Sequence, residues 1–253
     1  MAVLAAGAVA LLAWGARSLT TGGAVAAWLV GIAVLVGTGW AGGAVLAAFF
    51  VSSSGIGRLA PAPAGLDSKG ERRDPRQVAA NGGPAALGAL LGLHDPSLGF
   101  WVVTGSLAGS AADTWATAVG GWSRTPPRRL LLGVELEPGT SGGMTVAGTW
   151  GAAVGALLVA ATGAAAGATP VLLPVGTLVG FAGMVADSAL GSGWQGRFRC
   201  PACDIASEWR VHRCGARTVR VGGMAWLDND GVNLAASALG AVLAGVAWRC
   251  WFR

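Results

Sequence analysis

The sequence predicts an all-α fold: a polytopic membrane helical bundle of about six to eight spans. Three observations predict it. First, the 253 residues are 53% hydrophobic and only 11% charged, with a mean hydropathy of +0.60. A soluble domain carries roughly 25% charged residues, and so few charges could not cover a soluble surface of this size. Second, 43 glycines and abundant alanine suit membrane helices, where small residues let backbones approach closely. Third, the apolar residues come in runs, at 1–16, 22–38, 40–54, 82–94, 97–119, 143–166, 169–190 and 231–252.

The run at 1–16 has no basic stretch before it, so it reads as a first span rather than a cleaved signal peptide. Several runs are shorter than the roughly 20 residues a straight span needs, which predicts tilted, broken or re-entrant helices. Many of the tryptophans stand near run ends (Trp14, Trp40, Trp101, Trp122, Trp150, Trp248, Trp251), where an amphipathic ring suits the headgroup level.

Three polar stretches separate the runs, at 55–81, 120–142 and 191–230. With Arg17 they hold fifteen of the seventeen basic residues. Two passes between each successive pair put all four places on one side, and the positive-inside rule makes that side cytoplasmic. The reading is eight passes with both termini outside, in one membrane domain over 1–253. Arg249 and Arg253 at the outer end run against the rule. The net charge of +5 therefore reports topology and not a nucleic-acid partner, since no long basic run carries interleaved aromatics.

A weak helix-pair repeat runs through the chain. Ala108-Gly109-Ser110-Ala111-Ala112-Asp113-Thr114 echoes Ala182-Gly183-Met184-Val185-Ala186-Asp187-Ser188. Each aspartate closes the second run of a pair, and a glycine turn precedes each pair: Asn81-Gly82-Gly83 and Ser141-Gly142-Gly143. Asp228-Asn229-Asp230-Gly231 introduces the last run in the same way. Acids within membrane segments are costly and mark functional sites by default. Their hard oxygens suit magnesium, and helix N-termini suit phosphate. This makes Asp113 and Asp187 candidate catalytic and magnesium residues, with Asp228 and Asp230 as further ligands. The ordinary alternative for all four is helix capping.

The basic loops supply phosphate candidates: Lys69, Arg73, Arg128 and Arg129, with Asn81, Gly82 and Thr114 beside them. The turn Gly139-Thr140-Ser141-Gly142-Gly143 would cradle phosphate with backbone N–H groups. In the third loop, Cys200, Cys203, His212 and Cys214 have the spacing C-x2-C-x8-H-x-C. Three thiolates and an imidazole would close a structural zinc site; a Cys-x-x-Cys disulfide is the alternative on an oxidising side. Cys250 reads as packing. No Ser-His-Asp set, P-loop or dinucleotide fingerprint is evident.

Several of these motifs in this order resemble the phytyl-phosphate kinase family of membrane proteins. The resemblance rests on Arg73-Asp74 with Gln77-Val78 and Asn81-Gly82-Gly83, and on Ala112-Asp113-Thr114-Trp115-Ala116-Thr117. It continues in Pro138-Gly139-Thr140 with Gly142-Gly143, in Ala186-Asp187-Ser188, and in Leu227-Asp228-Asn229-Asp230 with Asn233. The chain departs from the family pattern at Ala118, usually an acid, and at Ser141, usually Asn. More distantly, the Asp-Thr, arginines and Gly-Gly turn look like the nucleotide site of CDP-diacylglycerol synthases and dolichol kinases. The resemblance implies a CTP donor, Mg2+, an isoprenyl monophosphate lipid acceptor, and a multi-pass place in the cell membrane with the active face cytoplasmic. A transporter of an anionic or lipid-phosphate substrate, and a cytidylyltransferase acting on a lipid phosphate, are the alternatives.

Overall fold

Short polar side chains fix where the helices begin. Thr20, Asp74, Asp95 and Thr145 each accept a hydrogen bond from the backbone N–H three residues on, at 3.0, 2.9, 3.0 and 3.0 Å. Asp74 and Gln77 complete a reciprocal capping box, and Pro75 and Pro96 occupy first helical positions, where a missing N–H costs nothing. The computed structural model describes residues 1–61, 66–67, 72–130, 133–137, 139–167, 169–207 and 210–252. Lys69 and Pro138 lie outside the described residues.

The helices are α1 (Ala2–Gly15), α2 (Thr21–Leu59), α3 (Pro75–Leu91), α4 (Pro96–Gly120), α5 (Val146–Ala166), α6 (Leu172–Gly193) and α7 (Asn229–Phe252). A straight helix of the 39 residues of α2 would run roughly 58 Å. Yet Arg58, near its end, donates to Ser18 Oγ at 2.7 Å, just ahead of its start. Both ends therefore lie at the same end of the bundle, and α2 folds back on itself. The reversal is at Gly39, whose φ of +65° a residue with a side chain rarely adopts. The two arms, 21–38 and 40–59, match the separate apolar runs in the sequence. Among the described residues four helices, α2, α5, α6 and α7, are long and apolar enough to cross a membrane.

α4 sits in the middle and contacts α2, α3, α5, α6 and α7. Every residue from Gly99 to Ala112 is buried. Its hydroxyls are hidden by its neighbours: Thr104 bonds back to the Phe100 carbonyl at 2.9 Å, and Ser110 donates to the Asn81 carbonyl at 2.9 Å. Glycines let the neighbours close in. Gly148, Gly151 and Gly155 lay one stripe of α5 on the α4 backbone, where an added Cβ would come within 2.8 Å of an α4 carbonyl oxygen. The outward faces carry exposed Leu11, Leu29, Val51, Leu87, Leu178 and Val242, an apolar surface suited to lipid. Trp14, Trp40, Trp122, Trp150 and Trp251 are exposed as expected, but Trp101 and Trp248 are buried. Trp248 Nε1 finds Ser97 Oγ at 2.9 Å, so it serves the core rather than an interface.

One expected boundary moves. Asn81-Gly82-Gly83 is not a turn before a helix but the middle of α3, which starts at Pro75 because Asp74 caps it. Gly82 is needed there for closeness: a Cβ would meet Val30 at 3.2 Å. The expected loops also carry strands. β2 (Arg128–Arg129) pairs antiparallel with β3 (Gly143–Met144). β1 (Leu66–Asp67), β4 (Arg197–Cys200), β5 (Ile205–Ser207) and β6 (Val219–Gly222) form a sheet in the order β1-β5-β4-β6. These strands gather at one end of the bundle, called here the polar end. The ends of α2, α4 and α6 and the starts of α3, α5 and α7 face it.

Candidate functional site

α4, α6 and α7 meet where two glycines face each other. A Cβ on Gly183 would lie 3.2 Å from Gly109 Cα and 3.2 Å from the Ala236 carbonyl oxygen. These are equivalent positions of the sequence repeat, so the crossing brings matching points of the two halves together. One helical turn further toward the polar end, each repeat supplies its aspartate. Four residues of helix carry Asp113 and Asp187 about 6 Å above the crossing, which brings the two carboxyls close enough to interact directly. Asp113 is seven residues from the end of α4 and Asp187 six from the end of α6, so both lie about 10 Å below the polar end.

Two carboxyls at hydrogen-bond range repel each other when both are ionised, and a proton or a cation between them relieves the repulsion. Asp187 Oδ2 is fully buried and has no hydrogen-bond partner. A buried polar atom without a partner is costly, and a hard-oxygen pair of this kind fits a divalent cation such as magnesium.

The glycine turn docks directly beside this pair. Gly139 and Gly142 take positive φ, +85° and +75°. A Cβ on Gly142 would lie 2.1 Å from the Ser192 backbone nitrogen and 2.4 Å from the Ser188 carbonyl oxygen. The turn is thereby seated on the last two turns of α6, next to Asp187. Gly143 N–H bonds the Thr140 carbonyl at 3.2 Å, and Ser141 Oγ accepts from Gln195 Nε2 at 2.9 Å. Gln195, buried just past α6, is absent from the sequence motifs; its place after the helix that carries Asp187 is the signal that points to it. Arg129, paired across the ladder with Gly143, has a buried Nε without a hydrogen-bond partner. Arg128 instead holds Glu135 at 3.0 Å on the surface.

The remaining candidates divide. Thr114 bonds back to the Ser110 carbonyl at 2.9 Å within α4, and Asn81 Nδ2 to the Gln77 carbonyl at 2.9 Å within α3. Arg73 lies over the rings of Phe49 and Phe50, 5.4 and 5.8 Å from their centroids, and burial pushes its guanidinium down to about 10. Both Asp228 oxygens are engaged: Oδ1 caps α7 through Gly231 N–H at 3.0 Å, and Oδ2 takes Arg76 at 2.8 Å. Asp230 is buried, with Arg76 at 3.9 Å. Asp113 and Asp187 are thus the acids brought together; the glycine turn sits on the end of α6, the helix that carries Asp187, and Arg129 lies on the strand paired with that turn.

The four sulfur and imidazole candidates also converge, on the sheet. The ligand atoms of Cys200, Cys203, His212 and Cys214 all lie within 4.8 Å of one another. The Ala216 backbone N–H holds the Cys214 thiol down to about 6, while its hydrogen bond with Cys214 pushes the Cys203 thiol up to about 11.

Comparison with known proteins agrees with a membrane bundle. The chain is 27% identical to Protein PGR of Arabidopsis thaliana, covering 97% of this chain and 94% of that protein. It is 28% identical to an uncharacterized membrane protein of Methanocaldococcus jannaschii, over 73% of this chain and 78% of that one. No solved structure matches it. The sequence profile of the integral membrane protein family DUF92 matches residues 4–241, and the chain belongs to that family.

Proposed function

We propose that this protein is a membrane-embedded kinase. It transfers a phosphoryl group from a nucleoside triphosphate, CTP by the family resemblance, to an isoprenyl (phytyl-like) monophosphate. The observation that carries this reading is the approach of Asp113 and Asp187, with the glycine turn seated on the end of α6 and Arg129 on the strand paired with it. Phosphoryl transfer asks a protein chiefly for positioning and for opposite charge around the phosphates, and these groups offer both. Asp113 and Asp187 would hold magnesium, which when bound neutralises phosphate charge. The turn at 139–143 offers backbone N–H groups, and Arg129 a guanidinium that matches a phosphate edge. An acceptor with its tail between lipid-facing helices would bring its phosphate to the polar end, which the positive-inside rule makes cytoplasmic. A depth of about 10 Å for the acids suits a phosphate entering from that face.

A transporter is the second reading, favoured by the repeat and by the reversal of α2 at Gly39. A transporter places its binding acids near the midplane, and Asp113 and Asp187 stand toward one face.

The test uses the full chain in detergent with magnesium, CTP or ATP, and phytyl, geranylgeranyl and undecaprenyl monophosphates, with products read by mass spectrometry. A prenyl diphosphate and a nucleoside diphosphate, both absent in Asp113→Asn, are expected. Release of pyrophosphate would identify a cytidylyltransferase instead. Binding of lipid phosphate without turnover of any pair would overturn the kinase in favour of a transporter.

A further inference from the structure

The sheet at the polar end has very little to hold it together. Its strands are two to four residues long. Between Phe198 and Val221 the buried side chains among the described residues are Cys200, Ser207 and His212. Two of these three belong to the cluster of four potential ligands, so the ligands themselves occupy the place of a core. Units this small need a staple such as a metal.

The geometry points to a zinc ion bound by Cys200, Cys203, His212 and Cys214. Two turns present the ligands in pairs. Cys200 and Cys203 flank the turn between β4 and β5, closed by Asp204 N–H on the Cys200 carbonyl at 2.9 Å, with Asp204 in the left-handed region at φ +56°. His212 and Cys214 sit in a second turn, closed by Gly215 N–H on the His212 carbonyl at 2.8 Å, with Gly215 at φ +87°. Each pair is thus followed by a left-handed residue that bends the chain back around the ligands. Zinc–sulfur bonds of about 2.3 Å in a tetrahedron put sulfurs roughly 3.8 Å apart. Cys200 and Cys214 Sγ lie 3.6 Å apart, close to that edge and far beyond the roughly 2.05 Å of a disulfide. Three thiols and an imidazole are a soft set that selects zinc over magnesium; on binding, the thiols lose their protons to solvent.

The site is structural, since four protein ligands leave no open position. What it holds is a strap. Beyond the sheet the chain returns along the end of α6: Met224 N–H bonds the Trp194 carbonyl at 2.8 Å and Gly196 N–H the Leu227 carbonyl at 2.9 Å. That strap pairs with Gln195, which donates to Ser141 of the glycine turn, and leads into Asp228 and α7. Zinc in the sheet therefore fixes the connection from α6 to α7 without touching Asp113 or Asp187. This inference stands apart from the identity of the reaction.

The test is metal analysis of the full chain purified in detergent, with zinc-edge X-ray absorption. About one zinc per chain, in a shell of three sulfurs and one nitrogen, is expected. Cys203→Ser and Cys214→Ser should lose it, and Cys250→Ser should keep it. Should the serine variants fail to accumulate, His212→Cys decides: zinc retained in an all-sulfur shell supports the site, and an unchanged shell overturns it. A metal-free chain, a Cys200–Cys214 disulfide by mass, or zinc retained in Cys203→Ser would also overturn it.

Discussion

Among the described residues the molecule has two clusters of metal-seeking side chains, and they are built on opposite principles. Asp113 and Asp187 are hard oxygens, one from each half of a repeat, held by rigid helices inside the bundle. Cys200, Cys203, His212 and Cys214 are soft donors carried by tight turns in a small sheet outside it. The acids number two and, in the proposed kinase, would leave room for a substrate's phosphates; the thiol set numbers four and closes on itself. Coordination number separates a site meant to react from one meant to hold, and the ligand type separates the ions.

The largest expected effect tests the first half of that contrast. Asp113→Asn or Asp187→Asn should lower prenyl diphosphate formation at least ~10³-fold, with zinc content unchanged by metal analysis. Next, Cys214→Ser should remove zinc and lower kcat/KM roughly 10-fold, the scale of a supporting interaction. A loss as complete as that of Asp113→Asn would erase the distinction between the clusters. Third, Gly142→Ala forces a side chain into both the left-handed region and the α6 backbone. The backbone strain of about 1–3 kcal/mol is joined by displacement of the turn from α6, read as a several-fold higher KM for nucleotide and a lower melting temperature. Gly133→Ala, at φ +63° but in open space, should show only the backbone part. The smallest effect belongs to Arg76→Ala. Arg76 is 71% exposed in its pair with Asp228, so its loss should cost about 0–1 kcal/mol in stability and leave turnover within about twofold.

What the sequence revealed followed physical periodicity. Apolar runs located the helices, including both arms of α2, because length and hydropathy are local properties. The echo of Gly109–Asp113 in Gly183–Asp187 foretold the approach of the two acids, because the equivalent glycines let α4 and α6 come together one turn below them. Asn81-Gly82-Gly83 misled, since a Gly-Gly pair reads as a turn until tertiary packing shows Gly82 admitting Val30. The sheet was invisible because strands of two to four residues, rich in arginine and glycine, carry no alternating pattern. Nor could spacing show that Gln195 reaches Ser141, 54 positions away. That contact exists only once α6 and the glycine turn are docked.

The crossing of Gly109 on Gly183 has a consequence for ancestry. Each helix pair owns one carboxyl and one glycine, so neither half possesses a centre alone, just as one protomer of a twofold dimer owns only half of a shared interface. A single ancestral hairpin could have assembled the same centre from two copies. The glycine turn that seats against the end of α6 has no counterpart at Asn81-Gly82-Gly83, which lies inside α3, so the two halves differ there.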